Sequence, residues 1–399
     1  MLTKLHFLTI VTVLLVHIAN GVETPTPHGH DYFALRDGLQ NSRIRFEHDK
    51  QGRVAFLGGS ITTMEGWRGL TYKSMQKRFP DTEFDFVHAG IPSVDSTGDA
   101  FRLMRDVFGR GQVDLLFVEA SVNDLHNRRD HTERIRAMEG IVRQARRENP
   151  NIDVVFMCFV DVPFIKEFDA GKTPEIIADH LKVAEHYKIA SINLAKEVTE
   201  RIAAGEFKWE KFRNCHPSPF GHALYNATIE RMLGAACASN LPAEAKTTAH
   251  TLPTSLEVKN YQRGRLVDLE VAELGDGWKI DPQWKPTLKA GTRAGFVNVP
   301  MLVAEQPGAT LTLKFDGTAI GMFVVAGPDT GDVEYSIDGG EKKTLSGFTR
   351  WSGGLYLPWP FVFDADLAPG EHELTLTTAA GKNAKSKGNA TRIVKFLVN

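Results

Sequence analysis

Cysteine is scarce in this chain: Cys158, Cys215 and Cys237 are the only three. An odd set this small allows at most one internal disulfide, so stability must come from packed cores rather than a disulfide framework. Their scattered spacing also lacks the clustering of a zinc site. Charge of one sign is missing too. Lys and Arg total 47 against 49 Asp and Glu, interleaved throughout, for a net charge of −2. That removes the electrostatic case for nucleic acid or an anionic membrane as partner. No internal repeat, strong low-complexity tract, metal motif or nucleotide motif is present, so no cofactor is implied. Nothing resembles an amphipathic lid for membrane contact. Long apolar runs are absent beyond the first twenty residues.

That first stretch stands apart. Lys4 precedes an apolar run over residues 5–18, broken by His6, Thr9, Thr12 and His17, and Ala19-Asn20-Gly21 offers a small-x-small cleavage pattern. Residues 1–21 therefore read as a secretory signal, short for a membrane span, with an uncleaved N-terminal anchor as the alternative. No Cys follows the run, which argues against a lipid anchor. The expected location is secreted or periplasmic, with no membrane contact once the signal is removed.

What remains has the composition of a soluble globular protein, 42% apolar and 24% charged, and 399 residues favour two domains. Over residues 30–240 short β-branched runs alternate with helical patterns. Strands are expected at 53–57, 83–88, 113–119, 153–159 and 189–194, and helices at 66–79, 98–108, 132–148 and 174–187. Alternating strands and helices imply a parallel sheet covered on both faces, and the continuously apolar strands suit burial on both sides. The fold class expected is a three-layer α/β/α domain with a parallel five-stranded sheet. Residues 241–254, rich in Ala, Thr and Pro, read as a linker. Over 255–399 short alternating runs recur between Gly and Pro, with a hairpin signal at Asp338-Gly339-Gly340, which indicates an all-β sandwich of jelly-roll type. Within it Trp351, Tyr356, Trp359 and Phe361 cluster. Core packing accounts for such a cluster better than a sugar-binding platform does.

Open parallel sheets bind ligands at the carboxyl ends of their strands. There the chain carries Gly58-Gly59-Ser60 after the first strand, Gly90 after the second, Asn123-Asp124 after the third, and Asn214-Cys215-His216-Pro217 after the last. A hydroxyl, a bare glycine, an amide and an imidazole thus converge on one edge. Acyl transfer needs that set: a nucleophile, a base for its proton, and donors for the developing oxyanion. Taken singly, Ser60 could cap a helix, Gly90 make a turn, and Asn123-Asp124 brace a loop. His222, on the following helix, reads as structural.

The ordered blocks Gly59-Ser60, Gly90, Asn123-Asp124 and His216-Pro217 resemble those of the SGNH/GDSL hydrolase superfamily. Phe56 to Thr62 and Glu65-Gly66-Trp67-Arg68 further resemble a branch from carbohydrate-degrading bacteria. The resemblance spans about residues 52–233 and implies a flavodoxin-like fold. It implies Ser60 as nucleophile, His216 as base, and an oxyanion hole from Ser60, Gly90 and Asn123. Glu65, Trp67, Arg68, Asp124 and Arg213 are candidates for contact with substrate, although Glu65, Trp67 and Arg68 could equally start the helix and pack against the sheet. One position departs from the pattern: the superfamily usually has Asp three residues before the histidine, and this chain has Arg213. The imidazole then needs another partner, either a backbone carbonyl or a displaced carboxylate such as Glu210 or Asp161, unless the site is not hydrolytic.

The function these residues imply is a secreted esterase removing acyl groups, acetyl foremost, from a carbohydrate or another acylated substrate. Rivals are a lipase-like acylhydrolase, a carbohydrate-binding protein on a degenerate scaffold, and a glycosidase using carboxylates such as Glu65, Asp95 or Asp124.

Overall fold

The computed structural model describes residues 27–399, so the expected signal segment lies outside the described residues. Residues 27–31 carry one 3-10 turn and fall outside the single compact unit that Tyr32 to Asn399 form.

The first part is an α/β layer structure. Its strands are β1 (Phe33–Ala34), β2 (Gln51–Gly58), β3 (Glu83–Gly90), β4 (Leu115–Glu119), β5 (Asp153–Cys158) and β6 (Ala190–Asn193). Helices α1 (Gln40–Glu47), α2 (Ser60–Thr63), α3 (Trp67–Arg78), α4 (Ser96–Asp106), α5 (Ser121–Asn127) and α6 (His131–Glu148) come first. Helices α7 (Val162–Asp169), α8 (Glu175–His186), α9 (Leu194–Ala203), α10 (Trp209–Phe212) and α11 (Pro219–Ala236) complete the set. The sheet order is β1-β6-β5-β4-β2-β3, with β2 to β6 parallel. The expectation of five strands needs one correction. A sixth, β1, pairs antiparallel with β6 through Phe33↔Ile192. Two residues carry no alternation to read, so only the pairing itself defines this strand.

Side chains on a strand alternate between faces, and here both faces are covered. Ala55, Leu57, Leu116, Val118, Val154 and Phe156 point into one core. Val54, Phe56, Leu115, Phe117, Val155 and Met157 point into the other. This is why β4 and β5 read as unbroken apolar runs. The chain reverses direction across the sheet between β2 and β4, so their carboxyl ends diverge and leave a crevice.

Residues 241–254 contain no helix or strand. They lie along the α/β surface, tied down by Asn41 Nδ2 donating to Thr248 O (2.8 Å) and Arg146 Nη1 to Thr251 O (2.8 Å). The second part stacks two sheets. Its strands run β7 (Arg265–Val267), β8 (Glu273–Leu274), β9 (Lys279–Asp281), β10 (Gly291–Thr292), β11 (Met301–Ala304) and β12 (Thr310–Asp316). They continue with β13 (Ile320–Ala326), β14 (Asp332–Ile337), β15 (Lys343–Ser346), β16 (Leu355–Asp364), β17 (Glu371–Thr378) and β18 (Thr391–Val398). One sheet runs β10-β16-β13-β18-β11-β9 with β7 also on β18; the other runs β15-β14-β17-β12-β8. A core including Leu311, Leu313, Val324, Leu374 and Ile393 fills the space between them. The hairpin signal sits where expected, between β14 and β15, with Asp338 at φ 53° and Gly339 at φ 67°.

The two parts share a core. Ala100, Phe101 and Leu103 of α4 belong to the same buried cluster as Tyr261, Met301, Phe323 and Tyr356. The Phe101 and Tyr261 rings lie 4.7 Å apart. Arg129 Nη2 also donates to Pro360 O at 2.8 Å. This seam brings loops of the sandwich to the sheet edge where the candidate residues lie.

Candidate active site

Strand β2 ends at Gly58, and Gly59 leads into α2, which starts at Ser60. The approach is too tight for side chains. A Cβ on Gly59 would lie 2.8 Å from Asn123 Nδ2, and one on Gly90 would lie 2.8 Å from Thr63 N. Glycine therefore lets the Asn123 amide and the end of β3 close in on the Ser60 turn. Asn123, on α5 and 8% exposed, donates from Nδ2 to Val94 O at 2.7 Å. A primary amide has two such protons, so one holds the side chain in place and the second is left for a ligand.

His216 comes from the segment between α10 and α11. Its Nε2 lies 2.7 Å from Ser60 Oγ, and both residues are half-buried. For Nε2 to accept the serine proton, Nδ1 must carry the ring hydrogen. Among the described residues, the hydrogen-bonding partner at Nδ1 is Cys215 Sγ, at 3.6 Å. Neither a backbone carbonyl nor Glu210 takes that place, and Glu210 is exposed. Asp161 lies one step further out. Its Oδ2 meets His126 Nε2 at 2.7 Å, and its Oδ1 accepts from Val162 N at 2.7 Å. Burial lowers the His216 pKa from its ordinary value, and the cations Arg293 and Arg213 lower it further, against an opposing effect of Asp161. The imidazole is therefore a neutral base at pH 7. Burial pushes the Cys215 thiol up to about 11, so the sulfur facing Nδ1 is uncharged.

Beneath the Ser60 turn sits a residue that sequence reasoning missed. Glu119, at the end of β4 and 1% exposed, accepts from Gly59 N (2.9 Å) and Thr62 Oγ1 (2.8 Å) through Oε1. Its Oε2 has no partner, and burial raises its pKa to about 8, so it is protonated at neutral pH. The signal was available: one carboxylate closing the otherwise apolar run Leu115-Leu116-Phe117-Val118. Arg102 was missed as well. It is fully buried, and its Nη2 donates to Gly58 O (3.1 Å) and Ala89 O (2.7 Å), tying the ends of β2 and β3 together.

The other candidates divide. Glu65 and Arg213 are exposed. Trp67, Arg68 and Asp124 face inward, which corrects their expected place in the pocket lining. Trp67 is fully buried and donates from Nε1 to Ile61 O at 3.2 Å, while Arg68 donates to Thr62 O and Tyr72 Oη. The helical period of α3 turns this pair towards the sheet. Asp124, also fully buried, accepts from Ser96 N and Oγ and lies 2.7 Å from His180 Nε2. Asp95 is bound by Asn127 and Arg129 at 2.7 Å each. Neither carboxylate is free to serve as a glycosidase acid or base. His222 Nδ1 accepts from Trp67 N at 3.2 Å, and burial holds its pKa down to about 4, in keeping with a structural role. The donor atoms of His126, Asp161 and Cys215 lie within 4.8 Å of one another, a set able to take a divalent cation. In the structure the His126–Asp161 hydrogen bond already satisfies two of them.

A parallel sheet with a serine–histidine contact and an apposed asparagine amide at its switch point is the arrangement of an SGNH-class hydrolase. Residues 56–224 match the model of the GDSL-like lipase/acylhydrolase family. The α/β region is a domain of that family, and the chain is a hydrolase of carboxylic ester bonds. Solved structures of similar fold include a two-domain esterase (CEX) active on acetylated mannans, co-crystallised with mannopentaose. It is 20% identical, with a TM-score of 0.72 over 90% of this chain and 94% of that one. Another structure of a two-domain esterase (CEX) active on acetylated mannans is 19% identical, with a TM-score of 0.68 over 90% and 95%. The similarity of fold thus spans both the α/β part and the sandwich. No curated protein sequence matches the chain.

Proposed function

We propose that this protein is a secreted serine esterase that removes acetyl groups from a carbohydrate. Ser60 is the nucleophile, His216 the base, and the backbone N–H groups of Ser60 and Gly90 with the Asn123 amide form the oxyanion hole. The observation that carries the reading is the 2.7 Å approach of Ser60 Oγ to His216 Nε2 at the sheet's switch point. Oγ attacks the acyl carbonyl while Nε2 takes its proton, and the three donors stabilise the negative oxygen that develops. The imidazolium then protonates the departing sugar hydroxyl. A water, deprotonated by the same nitrogen, releases the acyl group as a carboxylic acid. Glu119, neutral at pH 7, sets the Gly59–Thr62 turn without placing a negative charge beside the oxyanion. Residues 30–240 form the hydrolase domain and 255–399 the sandwich, joined by 241–254.

The carbohydrate substrate is supported by the shared two-part fold of an esterase active on acetylated mannans. No helix among the described residues is long and apolar enough to cross a membrane, and export rests on the pattern of residues 1–21. The test is labelling with a fluorophosphonate probe, together with acetate release from acetylated glycans and from long-chain esters. Wild type should label and release acetate in preference to long acyl chains, and Ser60→Ala should lose both by about 10³ or more. Near-normal turnover by that variant would remove Ser60 from the mechanism.

A further inference from the structure

Several buried arginines of the α/β framework are paired with carboxylates. Arg68, Arg102, Arg129 and Arg134 each have a carboxylate oxygen within 3.6 Å. Three arginines around the Ser60–His216 pair are not. Arg213, three residues before His216, is exposed and has no ion-pair partner among the described residues. It sits at φ 97° and ψ −76°, a backbone conformation costly for a residue with a Cβ. Arg293 follows β10 of the sandwich. It is half-buried, its Nε is enclosed without a hydrogen-bond partner, and no carboxylate offsets that burial. Arg350, also from the sandwich, lies 4.7 Å over the Trp351 ring and reaches His126 O at 3.4 Å.

Arg213 belongs to the α/β part, while Arg293 and Arg350 come from the sandwich. Residues 294–296, which follow Arg293, line a cleft of about 1060 Å³ together with Gly90 and Ile91. Trp351 is 41% exposed, with its ring 6.0 Å from that of His126. His126 in turn belongs to the cluster with Asp161 and Cys215, the residue against His216 Nδ1. Among the described residues, no carboxylate forms an ion pair with these arginines. Asp161 is held by His126, Glu119 is protonated, and Glu65 lies 3.6 Å from Arg68. A half-buried guanidinium without a counter-ion is unfavourable. Arg213 and Arg293, which both act electrostatically on His216, thus leave a place for a charge that a ligand supplies.

We propose that Arg213 and Arg293, with Arg350 and the Trp351 ring behind them, form an anion subsite beside Ser60, so that the substrate is an acylated sugar bearing a carboxylate or sulfate. The proposal rests on the Ser60–His216 reading above. A planar guanidinium binds either anion through paired hydrogen bonds, and an exposed indole face suits the adjoining sugar ring. The subsite discriminates among glycans and takes no part in the proton path.

The test compares kcat/KM for three acetylated sugars: a neutral hexoside, the corresponding uronate and the corresponding sulfate ester. Measurements belong at low ionic strength and about pH 8, where an imidazole is neutral in wild type and variants alike. Wild type should favour at least one anionic sugar by about tenfold or more, through a lower KM, with the preference shrinking as salt is added. The favoured anion identifies the group bound. Arg293→Gln and Arg213→Gln should each reduce the anionic-to-neutral ratio about fivefold or more, and Arg293→Lys should retain part of it. A wild-type ratio at or below one for both anions overturns the proposal, as does a ratio that neither glutamine substitution moves. Failure of the catalytic reading would look different: Ser60→Ala would then hydrolyse the neutral hexoside as fast as wild type.

Discussion

The carboxyl ends of β2, β3 and β4 are held by buried polar contacts: Glu119 binds the Ser60 turn, Arg102 binds the ends of two strands, and Val94 O holds Asn123. Opposite them, the sandwich presents Arg293, Arg350 and Trp351 from connections outside its long strands. Among the described residues those arginines have no carboxylate partner. Chemistry needs atoms fixed to a fraction of an ångström, which strand ends and buried hydrogen bonds provide. Recognition of varied substrates tolerates loops. The two regions divide the labour accordingly, one fixing the reacting groups and the other shaping what reaches them.

Substitutions on the two sides should therefore fail in different ways. The largest effect is expected from His216→Ala, which removes the imidazole in contact with Ser60 and should cost about 10³ or more in kcat on a neutral aryl acetate. A loss below tenfold would place the base elsewhere. Asn123→Ala should lower kcat by about 10²–10³ with little change in KM, because its free N–H would act on the tetrahedral oxyanion. If KM rises instead, Asn123 binds the ground state and the division weakens. On the seam, Tyr261→Ala should act on stability alone. Its ring is fully buried against Phe101, and its hydroxyl donates to Glu133 Oε2 at 2.6 Å. Thermal or urea unfolding should report a loss of about 3–5 kcal/mol, with kcat per folded molecule retained.

Two smaller effects sharpen the electrostatics. Glu119 keeps its proton in the folded state up to about pH 8, whereas the unfolded residue releases it near its ordinary 4.5. The folded form then binds more protons between those values, so the contribution of Glu119 to stability falls as pH rises through that window. Glu119→Gln keeps an acceptor for Gly59 N and should flatten this slope in a series of melting temperatures. Arg213→Ala should shift least. It removes one of the cations that lower the His216 pKa, so the acid limb of kcat/KM should move upward, while the rate on a neutral ester above that limb falls about tenfold or less. An unmoved limb would show that Arg213 does not act on the imidazole.

Much of this was legible in the residues. The expected strands at 53–57 and 83–88 appear as Gln51–Gly58 and Glu83–Gly90, and the expected helix at 132–148 as His131–Glu148. Periodicity sufficed there because these elements are buried on one or both faces. Of the aromatic cluster, Tyr356 and Trp359 are core residues as read, while Trp351 is exposed. Residues 350–354 form a turn before β16, and strand alternation does not extend into it. Trp67, Arg68 and Asp124 were left with two readings because a polar or aromatic residue beside a motif looks the same in one dimension whether it faces substrate or framework.

Sequence alone determined the layered α/β class, the carboxyl edge of the strands and the set of chemical groups along it, since hydrophobic period and glycine placement are local properties. Tertiary structure alone decided which sulfur faces His216 Nδ1, that Glu119 is buried and neutral, and that Arg293 reaches the catalytic edge from more than seventy residues further along the chain. Burial, and the partner across a seam between two sheets, depend on how distant segments meet. No local pattern records that.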